Sequence, residues 1–470
     1  MVRAPSRVRR FIPHAAPGIL AGMQLRGWLS FALVLAGCGT TPAAPVGTDA
    51  ATDIAVDAAS DLPAIADTGT DLGLDAATTT DATCEPRVWD SGVGEAGAAI
   101  TEVRQFLTNC RHNENTDMLV WHDAIYLIHR TYDSQVLSPD ARLHLYRSTD
   151  QGVTFQEIRQ FNYPARDIRD PKLVPFGNEL RIYSLSRLPG FMAYDLGTDS
   201  LTTVARSTDG TTWSEPTPVY ESGWSFWREI QVGARLYAAA YQDGDRSIIF
   251  LESADGLTWN RLATVFSDPC RIPLEPEPMF FPDGRVVIGI RMDDGPNYLD
   301  DGHEKLCVAD PPYTHFECPT ELPGRLDGPV TFEYGGDRWV IARAHLSGLR
   351  KRTVLYRWTG NLHDLQGVGL ELVATLPSAG DTSYAGLVWT SPGHALVSYY
   401  TSNPDYDIPW WHGSLSASDI FMARLDMSRV THGDTSPLHD RGVITKCRPF
   451  EDGGTLFPDV TLDATSSDAR

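Results

Sequence analysis

The sequence predicts an all-β protein, a six-bladed β-propeller of four-stranded antiparallel blades preceded by a disordered tether. Three observations carry this expectation. Forty glycines, 32 prolines and 12 tryptophans in 470 residues describe a turn-rich, aromatic-rich chain, a composition that leaves little room for long helices. Apolar strands run into a turn and return at His122, Gly177, Gly233, Asp283, Gly335 and Pro392, at intervals of 55, 56, 50, 52 and 57 residues. Six units of that length are six blades. Finally, one hairpin phrase recurs three times, as Ser148-Thr149-Asp150-Gln151-Gly152-Val153-Thr154-Phe155, Ser207-Thr208-Asp209-Gly210-Thr211-Thr212-Trp213 and Ser253-Ala254-Asp255-Gly256-Leu257-Thr258-Trp259. In each, Asp caps backbone N–H groups, Gly takes positive φ and the aromatic packs beneath the turn.

The elements follow in chain order. Residues 1–38 read as an export signal. The apolar run from Gly27 to Gly37, broken only by Ser30, is shorter than the ~20 residues a spanning helix needs. It ends at Leu35-Ala36-Gly37-Cys38, which resembles the lipobox of bacterial lipoproteins. That resemblance implies a lipid-modified Cys38, a lipid anchor in a membrane and an outer-membrane or surface location. Met23 offers an alternative start. Residues 39–86 contain no Lys or Arg and are punctuated by Asp49, Asp53, Asp57, Asp61, Asp67, Asp71, Asp75 and Asp81. Such a stretch buries too little apolar surface to offset its ordering entropy and reads as a disordered linker. The propeller takes residues 87–450, with Arg87 to Cys110 completing the last blade, and 451–470 form a C-terminal tail.

Charge and cysteine content narrow the function classes. With 61 acidic against 39 basic residues and a net charge of −22, the chain lacks the basic footprint of a nucleic-acid binder. Besides Cys38 there are six cysteines, Cys84, Cys110, Cys270, Cys307, Cys318 and Cys447. That number permits three disulfides in an exported protein, and Cys307 and Cys318, flanking a short Pro-containing turn, are the expected pair. No Cys-x-x-Cys or paired-His spacing points to a metal, and neither metal nor cofactor is expected.

Hairpin geometry then predicts a site. Residues equally far before and after each turn meet on one face. Eight back lie Glu114, Arg169, Ser225, Glu275, Asp327 and Tyr384; eight forward lie Arg130, Leu185, Tyr241, Arg291, Arg343 and Tyr400. Three acid-to-arginine pairs and three tyrosines make a polar rim of the kind active sites have.

The three Asp hairpins resemble the Asp boxes of the sialidase (neuraminidase) superfamily. Glu275-Pro276, Phe281-Pro282-Asp283-Gly284-Arg285 and Arg291, sixteen residues beyond Glu275, resemble that superfamily's segment bearing a catalytic Glu and one arginine of its carboxylate-binding triad. Asp381-Thr382-Ser383-Tyr384-Ala385-Gly386-Leu387-Val388-Trp389, followed by Ser398-Tyr399-Tyr400, resembles the final-blade segment whose tyrosine is the nucleophile, and Asp170-Pro171 also fits. The resemblance implies retaining hydrolysis of a terminal acidic sugar on a glycan, with Tyr384 as nucleophile, Glu275 as its base and Asp140 as acid/base, chosen over Asp133. It further implies Arg291, Arg343, Arg130, Asp170 and Asp327 as substrate-binding residues. A tyrosine suits an anionic sugar because a carboxylate nucleophile would repel it; a phenol of pKa near ~10 needs a neighbouring base.

The resemblance departs at the first blade, where His112-Asn113-Glu114-Asn115 stands in place of Arg-Ile-Pro. Alternatives follow from the same residues. Tyr384 can also be read as a core tyrosine, Glu275 as a partner orienting Arg291, and Asp327–Arg343 as a structural ion pair. Arg169-Asp170-Pro171 resembles the motif of five-bladed fructosidase-like enzymes. A non-catalytic glycan- or protein-binding propeller is the alternative from another class. Trp224, Trp227, Trp410 and Trp411 read as sugar-stacking platforms or blade core.

Overall fold

A computed structural model describes residues 88–89, 97–189, 199–242, 246–293, 302–346 and 349–430. The signal, the linker, Cys38 and the tail lie outside the described residues. The rest is a six-bladed propeller of antiparallel sheets. Blade I comprises His112–Trp121, Ala124–Tyr132, Arg142–Ser148 and Gln156–Phe161; blade II, Asp167–Phe176, Glu179–Arg187, Leu201–Ser207 and Thr217–Pro218. Blade III comprises Ser225–Val232, Arg235–Gln242, Ser247–Ser253 and Asn260–Ser267; blade IV, Ile272–Phe280, Val286–Asp293, Gly302–Ala309 and Glu317–Pro323. Blade V comprises Asp327–Tyr334, Asp337–Leu346, Arg350–Asn361 and Gln366–Leu376. Blade VI takes Thr382–Ser391, His394–Thr401 and Asp419–Asp426 from the C-terminal side and Ile100–Leu107 from the N-terminal side, with Val88–Trp89 on its edge. The pairing of Val103 with Ala423 therefore closes the ring. Six blades remove the five-bladed fructosidase-like reading.

Each of the six recurring turns joins the first and second strands of a blade. The second strand of each pair is buried on both faces over most of its length, which is why it reads as a near-continuous apolar run. The consecutive residues Val286, Val287 and Ile288 of blade IV are all fully buried, and so are Val340 and Ile341 of blade V and Leu396 and Val397 of blade VI.

The three Asp hairpins join third to fourth strands, at the end of each blade opposite the site described below. Asp150 accepts from the Thr154 amide at 2.9 Å, and Asp209 and Asp255 accept the amides of Thr212 and Thr258 at 2.6 and 2.7 Å. Each turn also latches onto the preceding blade. Arg104 donates to Gly152 O at 2.7 Å, Tyr126 packs against Gly210, and the Tyr183 hydroxyl donates to Gly256 O at 2.7 Å. A methyl on Gly210 would lie 1.9 Å from the Tyr126 oxygen, so glycine serves both the backbone and the fit between blades. Cys307 and Cys318 form a disulfide, and Cys110 and Cys270 are disulfide-bonded as well.

The feature that positions the site is a bulge at the same place in every first strand. Pairing with the second strand slips at Glu114/Asp117, Arg169/Lys172, Phe226/Glu229, Leu274/Glu277, Asp327/Val330 and Ser383/Gly386. Within each slip one residue adopts positive φ: Asn115, Asp170, Arg228, Glu275, Gly328 and Tyr384, at 53°, 50°, 56°, 46°, 57° and 45°. Pro171, Pro276 and Pro329 follow three of them, and a bulge tolerates proline because its extra residue has no ladder bond to donate. Five of the six are not glycine, and strained backbone of this kind gathers where side chains must be aimed.

The eight-residue symmetry holds as backbone pairing for Glu114–Arg130, Arg169–Leu185, Ser225–Tyr241 and Asp327–Arg343. In blades IV and VI the partners of Arg291 and Tyr400 are Leu274 and Ser383 instead. Blade IV turns through a longer loop, and blade VI carries a second irregularity between Trp389 and Ser391. The extra residue moves Glu275 and Tyr384 into their bulges.

Candidate active site

The bulges bring Tyr384 and Glu275 together from blades VI and IV. The Tyr384 hydroxyl donates to Glu275 Oε1 at 2.6 Å, while Arg291 Nη1 donates to the same carboxylate oxygen at 2.6 Å. Arg291 Nη1 and Arg343 Nη2 each approach the phenol oxygen at 3.3 Å. Glu275 Oε2 accepts the Gly328 amide at 2.7 Å, fixing the carboxylate from the blade between them. The Tyr384 ring packs edge-on to Trp227 and lies under the Arg343 guanidinium, 5.0 Å from its carbon.

Gly328 makes this arrangement possible. Its φ is +57°, and a Cβ there would lie 2.6 Å from the Tyr384 ring. Gly328→Ala is expected to lower turnover of any Tyr384-dependent reaction about 100-fold, since small displacements of reacting groups carry such penalties, while the far-UV circular dichroism stays native. Unchanged kinetics would show that the ring position is unimportant.

Burial shifts both groups of this pair upwards. Burial, and then the Glu275 charge, push the Tyr384 phenol well above its ordinary value. Burial also raises Glu275 against the pull of Arg291, making it a better base than an exposed carboxylate. Behind them stands Asp327, fully buried, which accepts from Arg343 Nη2 at 2.8 Å and lies 3.2 Å from Arg291 Nε and 3.1 Å from Arg325 Nε. Asp293 takes the Arg291 fork at 2.8 Å on both oxygens, and Asp381 takes Arg343 Nη1 at 3.0 Å.

Several expected roles change with this geometry. Arg130 is fully buried, clamped by Glu114 and Asp167 and bonded to the carbonyls of Ser134 and Val136. It holds the loop between the second and third strands of blade I and has no surface left for a substrate. Asp327 is likewise enclosed and orients arginines. Asp140 sits exposed at the end of that loop, and among the described residues its carboxylate makes no hydrogen bond to Tyr384, Glu275, Arg291 or Arg343. Asp170, by contrast, is a bulge residue with partial exposure; Asn115 donates to its carboxylate, and burial raises it above the usual carboxylate range. Trp224, Trp227 and Trp410 are core residues. Trp411 is 52% exposed in the segment following the second strand of blade VI, on the site's end of that blade.

Sequence reasoning missed a charged layer in the first strands just beyond the bulges. Arg228 donates to Glu277 at 2.7 Å and to Pro329 O at 3.1 Å, and Lys172 Nζ stands 4.8 Å from the Trp227 ring centre. Asp117 accepts the Leu173 amide at 2.7 Å. These residues fall between the eight-residue marks, so only the register slip reveals them. Burial pushes Glu229 in this layer up to about 8. A carboxyl raised on folding binds its proton more tightly in the native state, so it lowers stability as pH rises from about 4.5 towards 8. Glu229→Gln is expected to stabilise the protein at pH 8.5 and change little at pH 5, measured by urea unfolding; equal effects at both pH values would contradict this.

Among the described residues, His112, Glu114 and Asp381 form a group able to hold a metal ion.

No protein-family model and no curated protein matches the chain. Solved structures do. A protein of unknown function from Dyadobacter fermentans aligns with a TM-score of 0.51 at 18% identity, over 69% of this chain and 99% of that one. The intramolecular trans-sialidase from Ruminococcus gnavus, in complex with oseltamivir carboxylate, gives 0.52 at 10% identity over 68% and 95%. The NanB sialidase from Streptococcus pneumoniae gives 0.50 at 9% identity over 72% and 70%. At these identities the likeness is one of fold.

Proposed function

We propose that the protein is an exo-acting glycosidase that removes a terminal acidic sugar with retention of configuration. The observation that carries this reading is the 2.6 Å bond from the Tyr384 hydroxyl to Glu275, with two arginines beside the phenol oxygen. Tyr384 Oη attacks the anomeric carbon as its proton passes to Glu275, and the bond to the leaving oxygen breaks. Asp170 gives that oxygen a proton in place of Asp140. Water then attacks the glycosyl–tyrosine bond, Asp170 takes the water's proton, and Glu275 returns its own to the phenolate. Arg291 and Arg343 stabilise the phenolate at both stages, and their buried charges, with that of Arg228 across the ring, attract the sugar's anionic group. Trp411 offers a face for an adjoining sugar. Two of the structural neighbours carry the name sialidase or trans-sialidase, which agrees with an acidic sugar.

The test is a panel of aryl glycosides of sialic, other ulosonic and uronic acids, with the anomer first released identified by proton NMR. Retention supports the reading; inversion removes Tyr384 as nucleophile. A second reading, glycan binding without turnover, is favoured by one observation: the forks of Arg291 and Arg343 are already occupied by Asp293, Asp327 and Asp381. We further propose that Cys38 is lipid-modified. Cys38→Ser is expected to move the protein from the detergent phase to the aqueous phase, and continued membrane fractionation would contradict an anchor.

A further inference from the structure

We propose that His112, Glu114 and Asp381 bind a divalent cation that accepts both imidazole and carboxylate, of the Mn²⁺ or Zn²⁺ type, at the seam where blade I meets blade VI. All three side chains are fully buried. In each, one atom has no hydrogen-bond partner: His112 Nε2, Glu114 Oε2 and Asp381 Oδ2. These atoms point at one another, Nε2 lying 3.5 Å from Oε2 and 3.4 Å from Oδ2, and all three fall within 4.8 Å. Leaving three buried polar atoms without a bond is costly, so a shared occupant is the economical explanation.

The remaining atoms of each group are tied as they are around metals. His112 Nδ1 lies 2.7 Å from Ser416 O, which makes it a protonated nitrogen and turns Nε2 towards the cluster. Arg130 holds Glu114 Oε1. Arg343, the Tyr400 hydroxyl and Trp410 Nε1 hold Asp381 Oδ1 at 3.0, 2.9 and 3.1 Å. The free atoms are thus aimed by supports on blades I, V and VI.

A proton on Nε2 is the competing occupant: burial opposes it, but Asp381 and Glu114 outweigh burial and raise the imidazole to about 9, and it is the spacing that favours an ion. A charge-assisted N–H···O bond would draw a carboxylate oxygen to roughly 2.7–2.9 Å. Neighbouring ligands of one cation, with bonds of about 2.0–2.4 Å, stand roughly 3.0–3.5 Å apart, which matches the two distances from Nε2. Linear motif reading misses the site because the third ligand comes from the far end of the chain and arrives only when the ring closes.

The experiment uses the full chain expressed in medium supplemented with Mn²⁺ or Zn²⁺. Elemental analysis should find about one ion per chain, lost in His112→Gln and in Asp381→Asn. Protein refolded with chelator should gain about 5 °C in Tm when either ion is added before refolding. The Co²⁺-loaded protein should show visible d–d bands that His112→Gln abolishes. Should the variants not fold, an anomalous-scattering peak between the three atoms of the wild type supports the site. A wild type without bound ion, whose His112 shows the ¹⁵N shifts of a doubly protonated ring, overturns it.

Discussion

Tyr384→Phe is expected to lower kcat by roughly four orders of magnitude while leaving glycan affinity within about twofold. The change removes the nucleophilic oxygen, an interaction made in the transition state, and keeps the ring that packs on Trp227 and over Gly328. Glu275→Gln should lose most of kcat as well, because the amide still accepts a bond from the phenol but takes no proton. Kinetics on the aryl glycoside and calorimetry with the free sugar measure the two quantities. A Tyr384→Phe enzyme with near wild-type kcat would remove the tyrosine from the chemistry.

Asp327→Ala is expected to destabilise the fold by about 3–5 kcal/mol, the usual consequence of stripping the counter-charge from a buried cation. Here Arg291, Arg325 and Arg343 all lose a partner at once. The exposed pair of Arg111 and Asp133, 46% and 70% accessible, provides the contrast; Asp133→Ala should cost at most ~1 kcal/mol. Burial opposes ionisation of Asp327, but Arg291, Arg325, His345 and Arg343 outweigh it and hold the carboxyl well below the usual carboxylate range. A depressed carboxyl contributes its stability above the unfolded value near ~3.9 and loses it as pH falls towards the native value. The gap between wild type and Asp327→Ala in urea should therefore be full at pH 6 and narrow below about pH 4. A variant as stable as wild type at pH 6 would contradict the ion cluster.

The ring of blades was legible because it rests on local signals. A turn every fifty-odd residues needs only Gly, Pro and Asp between apolar runs, and an Asp hairpin is written in eight consecutive residues. The pairing of Cys307 with Cys318 was legible for the same reason. The site was legible only where hairpin symmetry reaches. It brought Glu275, Arg291, Arg343 and Tyr384 to one place, and it located Arg130 and Asp327 without revealing that both are enclosed. Enclosure depends on neighbouring blades: Asp167 of blade II clamps Arg130, and Arg325 comes from the connection into blade V. The acid/base assignment to Asp140 followed a loop by sequence position, whereas the partly exposed carboxyl at the bulges is Asp170. Bulges carry no composition of their own, so the six positive-φ positions became visible only in three dimensions. The cluster of His112, Glu114 and Asp381 lay hidden likewise, its third member 267 residues beyond the second.

The proposed reaction passes through a covalent bond between Tyr384 and the sugar. It is tested most directly by incubating the protein with a fluorinated glycosyl fluoride of the best acidic sugar, which forms the intermediate faster than water resolves it, and sequencing the modified peptide by mass spectrometry. One glycosyl adduct per chain is expected, on the phenolic oxygen of Tyr384, absent from Tyr384→Phe and slow to form in Glu275→Gln. An adduct on Glu275, Asp170 or another carboxylate, or turnover of the parent glycoside with inversion and no adduct, would contradict it.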